Sequence, residues 1–263
     1  MSFGRIFLKH FVIALLWLLH QQEAEAGNVK PKLPLRGRIV DGVDAIEGQF
    51  PYQVSVWFEG SHMCGGSIIS PSYILTAAHC AYAGQDQVVD PSLLSVRAGS
   101  IYNNRGGQVA SVSEITVHPS YNGNDSDMAL LKLSDPLEMN ANVRAIELAT
   151  EEPPLGSFVT TSGWGRLSEG GVRPETLHYL LVLGLPNANC KNWLPHLSNT
   201  STCFVHLKGQ GVCNGDSGGP AVYEDKLVGV TSWVLGDCGA VYGPDVYSSV
   251  VYHRDWITRN SRE

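Results

Sequence analysis

Short runs of β-forming residues separated by turn residues recur along the chain: Tyr52–Phe58, Ser67–Ile69, Ser95–Arg97, Ile115–Val117, Ala129–Leu133, Phe158–Thr161, Tyr179–Leu183 and Leu227–Trp233. Many short strands with little helix argue for an all-β sandwich or barrel. Tyr52, Val54, Val56 and Phe58 alternate with Gln53, Ser55 and Trp57, which predicts a strand buried on one face. Helical periodicity is confined to Tyr252–Asn260, where a terminal helix is expected. No internal repeat or low-complexity segment stands out.

The first 26 residues stand outside this pattern. Arg5 and Lys9 precede the apolar run Phe11–Leu19, and Ala24-Glu25-Ala26 follows as a small-x-small cleavage signal. The apolar run is well short of the roughly 20 residues that span a bilayer as a helix, so residues 1–26 are expected to be a signal peptide of a secreted protein without membrane association. Residues 27–38 carry four basic residues, two prolines and no acid, too little apolar surface for a core. They are expected to be a flexible propeptide, leaving residues 39–263 as the folded domain.

Secretion suits the six cysteines, since disulfides persist in oxidising compartments. Their pairing stays open on sequence alone. No Cys-x-x-Cys or His-Glu-x-x-His spacing occurs, so neither a metal nor another cofactor is expected. From Ile39 onward, 12 Lys and Arg face 23 Asp and Glu, a net of −11. Such an acidic surface disfavours nucleic acid, which is bound through clustered Lys and Arg.

Chemistry concentrates in three motifs. Gly215-Asp216-Ser217-Gly218-Gly219-Pro220 offers a serine among glycines, which permit sharp turns and close backbone approach. The N–H groups of Gly215 and Ser217 can converge on a developing oxyanion. A serine hydroxyl needs a base and an orienting acid to become a nucleophile. Thr76-Ala77-Ala78-His79-Cys80 and Asp127-Met128-Ala129-Leu130-Leu131 supply both. A lone histidine is usually a core or surface residue, and His118 and His253 are read that way.

The order His, Asp, Ser with these flanking residues resembles the chymotrypsin/trypsin-like serine proteases, over Ile39 to the C-terminus. The subtilisin and α/β-hydrolase orders differ. The resemblance implies two antiparallel six-stranded β-barrels with the cleft between them, His79 and Asp127 coming from the first and Ser217 from the second. It implies hydrolysis of peptide bonds through an acyl-enzyme, the roles of the triad being those of a well-worked template. It pairs Cys64 with Cys80, Cys190 with Cys203 and Cys213 with Cys238. Arg36-Gly37-Arg38 before Ile39-Val40-Asp41-Gly42 resembles the family's activation site. Cleavage after Arg38 would free the α-amino group of Ile39 to pair with Asp216, and an ion pair is far less costly there than a lone buried carboxylate. The stretch Gly99–Gln108, which matches a calcium loop in many trypsins, has no acid, so calcium dependence is not expected.

The specificity pocket departs from the family. Trypsin-like enzymes place an aspartate six residues before the nucleophile, where this chain has Gly211, followed by Val212. Ser232-Trp233 resembles the strand that binds the substrate backbone by edge addition, and Ser232 is expected near Asp127. Val234 follows where most relatives have glycine, an elastase-like feature that makes the pocket shallower. Asp245 stands in Pro244-Asp245-Val246-Tyr247, where glycine is usual. Three readings of Asp245 compete: it recruits a basic side chain, it leaves Val212 and Val234 to admit only small residues, or it pairs locally and fills space. A small residue before the scissile bond is expected ahead of Arg or Lys.

Expected partners are protein or peptide substrates, an activating trypsin-like protease and protein inhibitors, with the enzyme a monomer. A catalytically weak protease-fold binding protein is the alternative, but such proteins typically lose a triad residue, and all three are present. The activation motif also tells against an esterase using the same triad. Asn124-Asp125-Ser126 and Asn199-Thr200-Ser201 are glycosylation sequons. A glycan on the first would crowd the cleft rim. The short propeptide and three-disulfide pattern resemble arthropod extracellular members of the family.

Overall fold

The computed structural model describes Val40 and residues 42–84, 87–239 and 243–262. The expected signal peptide, the whole expected propeptide including Arg38, and Ile39 lie outside the described residues. The first barrel is built from β1 (Gln53–Phe58), β2 (Ser61–Ser70), β3 (Tyr73–Thr76), β4 (Leu94–Ala98), β5 (Gln108–Val117) and β6 (Ala129–Leu133). It closes in the order β1-β2-β3-β6-β5-β4. The second uses β7 (Phe158–Gly163), β8 (His178–Leu185), β9 (Ser201–His206), β10 (Pro220–Tyr223), β11 (Lys226–Trp233) and β12 (Gly243–Ser249). Its order, β7-β8-β9-β12-β11-β10, repeats that of the first, although the sequence shows no repeat. The expected pair of six-stranded barrels is thus present.

Apolar residues fill each barrel because alternate side chains of a strand point inward. Val54, Val56, Ile68, Ile74, Leu75, Val96 and Leu131 have no exposed surface in the first. Val159, Phe204, Ala221 and Tyr247 have none in the second. β1 corrects the sequence expectation of one buried face, since Gln53 and Ser55 are buried as well. Their face meets the other barrel: Ser162 Oγ donates to Gln53 Oε1 at 2.7 Å, and the N–H of Gly65 donates to the carbonyl of Ser217 at 2.8 Å.

α1 (Val250–Asn260) begins two residues before its predicted start. Ser249 caps it by accepting the Tyr252 N–H at 3.1 Å. Val250, Trp256 and Ile257 pack into the core of the first barrel, so the chain leaves the second barrel and clamps back on the first. His118 and His253 meet edge to face with ring centroids 4.8 Å apart, and His118 lies equally close to Trp256. Burial pushes His253 down to about 4, in keeping with a packing role for both histidines. The bonded cysteines are Cys64–Cys80, Cys190–Cys203 and Cys213–Cys238, the pairing implied by the resemblance.

Ile74→Ala, which opens a cavity in the closed first barrel, is expected to lower stability by about 2–5 kcal/mol. Val109→Ala on the exposed side of β5 is expected to change it by less than about 0.5 kcal/mol. Urea unfolding of both variants at neutral pH checks the contrast.

Candidate active site

His79 sits in a 3-10 turn, Ala78–Ala81, directly after β3. Cys80 in the same turn is bonded to Cys64 of β2, so the histidine is fastened to the barrel at both ends. Asp127 lies just ahead of β6 and is 1% exposed. Its Oδ1 accepts the backbone N–H of His79 at 2.9 Å, and its Oδ2 accepts from His79 Nδ1 at 2.7 Å. Nδ1 therefore carries a proton, and in the neutral ring Nε2 keeps its lone pair.

The second barrel reaches the same carboxylate. β11 has a bulge between Thr231 and Trp233, which takes Ser232 out of register. Ser232 Oγ donates to Asp127 Oδ2 at 2.5 Å, as the sequence led us to expect. Ser248 Oγ donates to the carbonyl of Asp127 at 2.7 Å, and nothing in the sequence marked Ser248 for this. Burial alone would raise the Asp127 pKa. The hydrogen bonds and charge of His79, with the bond from Ser232, outweigh burial and hold the carboxyl below its ordinary value.

Ser217 is half-buried on the loop before β10. Its neighbour Gly218 lies so close to the approach to His79 that a Cβ there would fall 2.1 Å from Thr76 Oγ1 and 3.0 Å from the Ala77 nitrogen. The glycine is required by close approach, and it brings the serine loop against the histidine turn. The loop is also tied at Cys213–Cys238.

A partly buried chain of side chains from the first barrel holds the Gly215 peptide. Trp57 Nε1 donates to Ser55 Oγ at 2.8 Å, Ser55 Oγ lies 2.7 Å from His62 Nδ1, and His62 Nε2 lies 3.2 Å from the Gly215 carbonyl. Burial, then the charge of Arg173, pushes His62 down to about 4, so the ring is neutral at physiological pH. It donates from Nε2 to Gly215 and accepts from Ser55. Sequence reading missed His62, because a histidine in a hairpin carries no signal of its own.

Asp216 is 1% exposed. Its Oδ1 accepts the Gly165 N–H at 2.7 Å and its Oδ2 the Cys213 N–H at 2.9 Å. Burial pushes its pKa up to about 7. Among the described residues no Lys, Arg or His forms an ion pair with it. Val40 bridges to Gly211, which brings the segment after the expected cleavage site to the wall of this region.

Gly211, Val212, Val234 and Asp245 come together around the second barrel. Asp245 is 3% exposed. Its Oδ2 accepts the Val212 N–H at 2.8 Å, and its Oδ1 lies 3.2 Å from His206 Nε2. The third reading of Asp245, local pairing, describes its surroundings. Val212 is buried in an apolar cluster with Phe204 and Tyr247, against which Val234 packs. Trp233 lines a neighbouring cavity of about 640 Å³ with Trp193, Leu194, Asn124 and Asp125, so the Asn124 sequon lies on its wall.

The sequence matches the Trypsin family over residues 39–257. It is 41% identical to trypsin alpha of Drosophila melanogaster over 95% of this chain and 100% of the relative. It is 40% identical to trypsin alpha-4 of Lucilia cuprina over 85% and 87%. Its fold is similar to that of neuropsin, a serine protease expressed in the limbic system of mouse brain, with a TM-score of 0.75 and 28% identity over 84% of this chain and 99% of that one. The chain belongs to the trypsin family and is a serine endopeptidase.

Ser232→Ala is expected to cost about 1.5–3 kcal/mol at neutral pH, the range for a hydrogen bond to a charged group. Because Asp127 is held below its ordinary value of 3.8, this stabilisation is present above that value. It is lost as pH falls through the lower folded-state value. Urea unfolding of wild type and variant should therefore differ at pH 7 and converge in strong acid.

Proposed function

We propose that this chain is a secreted endopeptidase made as a zymogen, activated by cleavage after Arg38, and selective for a small residue before the scissile bond. The observation that carries the catalytic reading is the buried Asp127 carboxylate, bonded to His79 from one side and Ser232 from the other. In this reading Ser217 Oγ attacks the substrate carbonyl while His79 Nε2 takes its proton. Asp127 holds the ring and balances the imidazolium. The N–H groups of Gly215 and Ser217 stabilise the oxyanion. His79 then donates the proton to the leaving amine, and water resolves the acyl-enzyme by the same steps in reverse.

The new ammonium of Ile39 would pair with Asp216, whose burial makes a lone negative charge costly. A buried carboxylate with a pKa near 7 supports a missing cation at this point. Ser232 to Val234 would receive the substrate backbone, and the aromatic-walled cavity beside Trp233 would take residues ahead of the scissile bond. The small-residue preference rests on Asp245, whose carboxylate is already engaged by Val212 and His206. Val212 and Val234 then leave an apolar, shallow pocket with no free acid for Arg or Lys. Protein substrates, a trypsin-like activator, protein inhibitors and a monomeric enzyme complete the proposal.

The test begins with limited cleavage after Arg38, confirmed by finding Ile39 as the new amino terminus. Peptides differing only before the scissile bond are then compared. The expected kcat/KM for Ala or Val exceeds that for Arg, Lys or Phe by at least about tenfold. Ser217→Ala should lower turnover by about a millionfold, and Asp127→Asn by about ten-thousandfold. A preference for Arg or Lys would overturn the pocket assignment, and absence of hydrolysis in the cleaved enzyme would overturn the catalytic one.

A further inference from the structure

Below the residues assigned to the pocket lies a buried ion pair that the catalytic reading does not use. His206 ends β9, and Asp245 lies in β12 opposite Phe204. His206 itself faces Gly243, so its ring has room to lean diagonally toward Asp245, within reach of a long side chain in a sheet. Both side chains are 4% exposed. His206 Nε2 is 3.2 Å from Asp245 Oδ1, and Nδ1 is 2.9 Å from the carbonyl of Leu207. Neither oxygen can donate, so only a ring protonated on both nitrogens satisfies both contacts.

The pair also explains Gly211. Its φ is +130°, in the region that favours glycine. A Cβ built there would lie 2.9 Å from Asp245 Oδ2 and 2.9 Å from His206 Nε2. The carboxylate and imidazole therefore fill the space that a side chain at position 211 would need, and they lie directly beneath it.

We propose that His206 is a specificity-determining residue, its imidazolium cancelling the charge of Asp245 so that the pocket floor becomes anionic, and receptive to cationic side chains, when His206 loses its proton. The proposal rests on the pocket assigned above. Two further titratable groups face the pair from the elements packed on it. Asp216, on the nucleophile loop, is close enough to interact with Asp245. In the cleaved enzyme it would be balanced by the Ile39 ammonium. Tyr247, on β12, is buried and keeps its phenol neutral, with a pKa raised well above 10. Burial lowers the His206 pKa, but the bond and charge of Asp245 more than offset it, and the net direction is upward. Protonated His206 thus persists to higher pH than an ordinary imidazole would. The signs are fixed: raising the pH uncovers negative charge.

The experiment uses the Arg38-cleaved enzyme, with competent sites counted by a burst-forming acylating ester. The inhibition constant of benzamidine and the kcat/KM of matched Ala and Arg peptides are measured from pH 6 to 10, the benzamidine data serving where the α-amino group begins to titrate. The expected result is a rise of at least about tenfold, one pKa unit's worth of interaction, in benzamidine affinity and in the Arg-to-Ala ratio as pH rises. In His206→Ala and His206→Gln both should be raised at neutral pH, with the pH dependence gone. Asp245→Asn added to either should abolish the gain. A pH-independent ratio in wild type, with His206 variants matching it, would overturn the proposal. If neither His206 variant folds, the wild-type pH dependence decides it. Failure of wild type to cleave the Ala peptide would instead count against the small-residue assignment.

Discussion

Everything at the centre of this protein depends on holding carboxylates out of water. Asp127, Asp216 and Asp245 are each 3% exposed or less, and an ionised group so placed is tolerable only with hydrogen bonds or an opposite charge. Asp127 meets that need by gathering His79 and Ser232 on its carboxylate and Ser248 on its carbonyl. Since His79 belongs to one barrel and the serines to the other, satisfying this one group fixes how the barrels meet. The bulge that aims Ser232, the hinge-like closeness of Gly218 to Thr76, and the return of α1 onto the first barrel all serve the same junction.

The other two carboxylates show different solutions to the same problem. Asp245 is held by a backbone N–H and an imidazole, both inside the fold. Asp216 receives only backbone N–H groups among the described residues, and its raised pKa records that deficit. On the activation route proposed above, the missing charge is made by breaking a peptide bond. On that route the unbalanced carboxylate would couple cleavage after Arg38 to the loop that carries Ser217.

Much of this was legible in the sequence because the catalytic motifs are local. His79, Asp127 and Ser217 each stand in a distinctive run, and the order of the runs carries the family. The disulfide pairing and the two barrels followed from that resemblance, while periodicity alone reached only a sandwich or barrel. Four strands of the barrels escaped it. Gly243–Ser249 contains glycine, proline, aspartate and serines, residues that favour turns, yet every residue in it is buried. Ser201–His206 and Pro220–Tyr223 were likewise unreadable, since their strand state comes from neighbours on both sides. Tyr73–Thr76 merged into the apolar approach to His79. The partners of Asp127, Asp245 and the Gly215 peptide were hidden for a related reason. His62, His206 and Ser248 lie far from the groups they serve along the chain, and only the barrel register brings them there.

The most direct measurement of the central claim is a burst titration with an acylating ester, which counts catalytically competent serines. It is applied to the uncleaved chain, the Arg38-cleaved chain and the cleaved Asp216→Asn variant, with folding of each confirmed by circular dichroism. The account predicts a burst near one per chain only in the cleaved wild type, because only there is the buried Asp216 charge balanced. A full burst from the uncleaved chain, or from folded, cleaved Asp216→Asn, would contradict it.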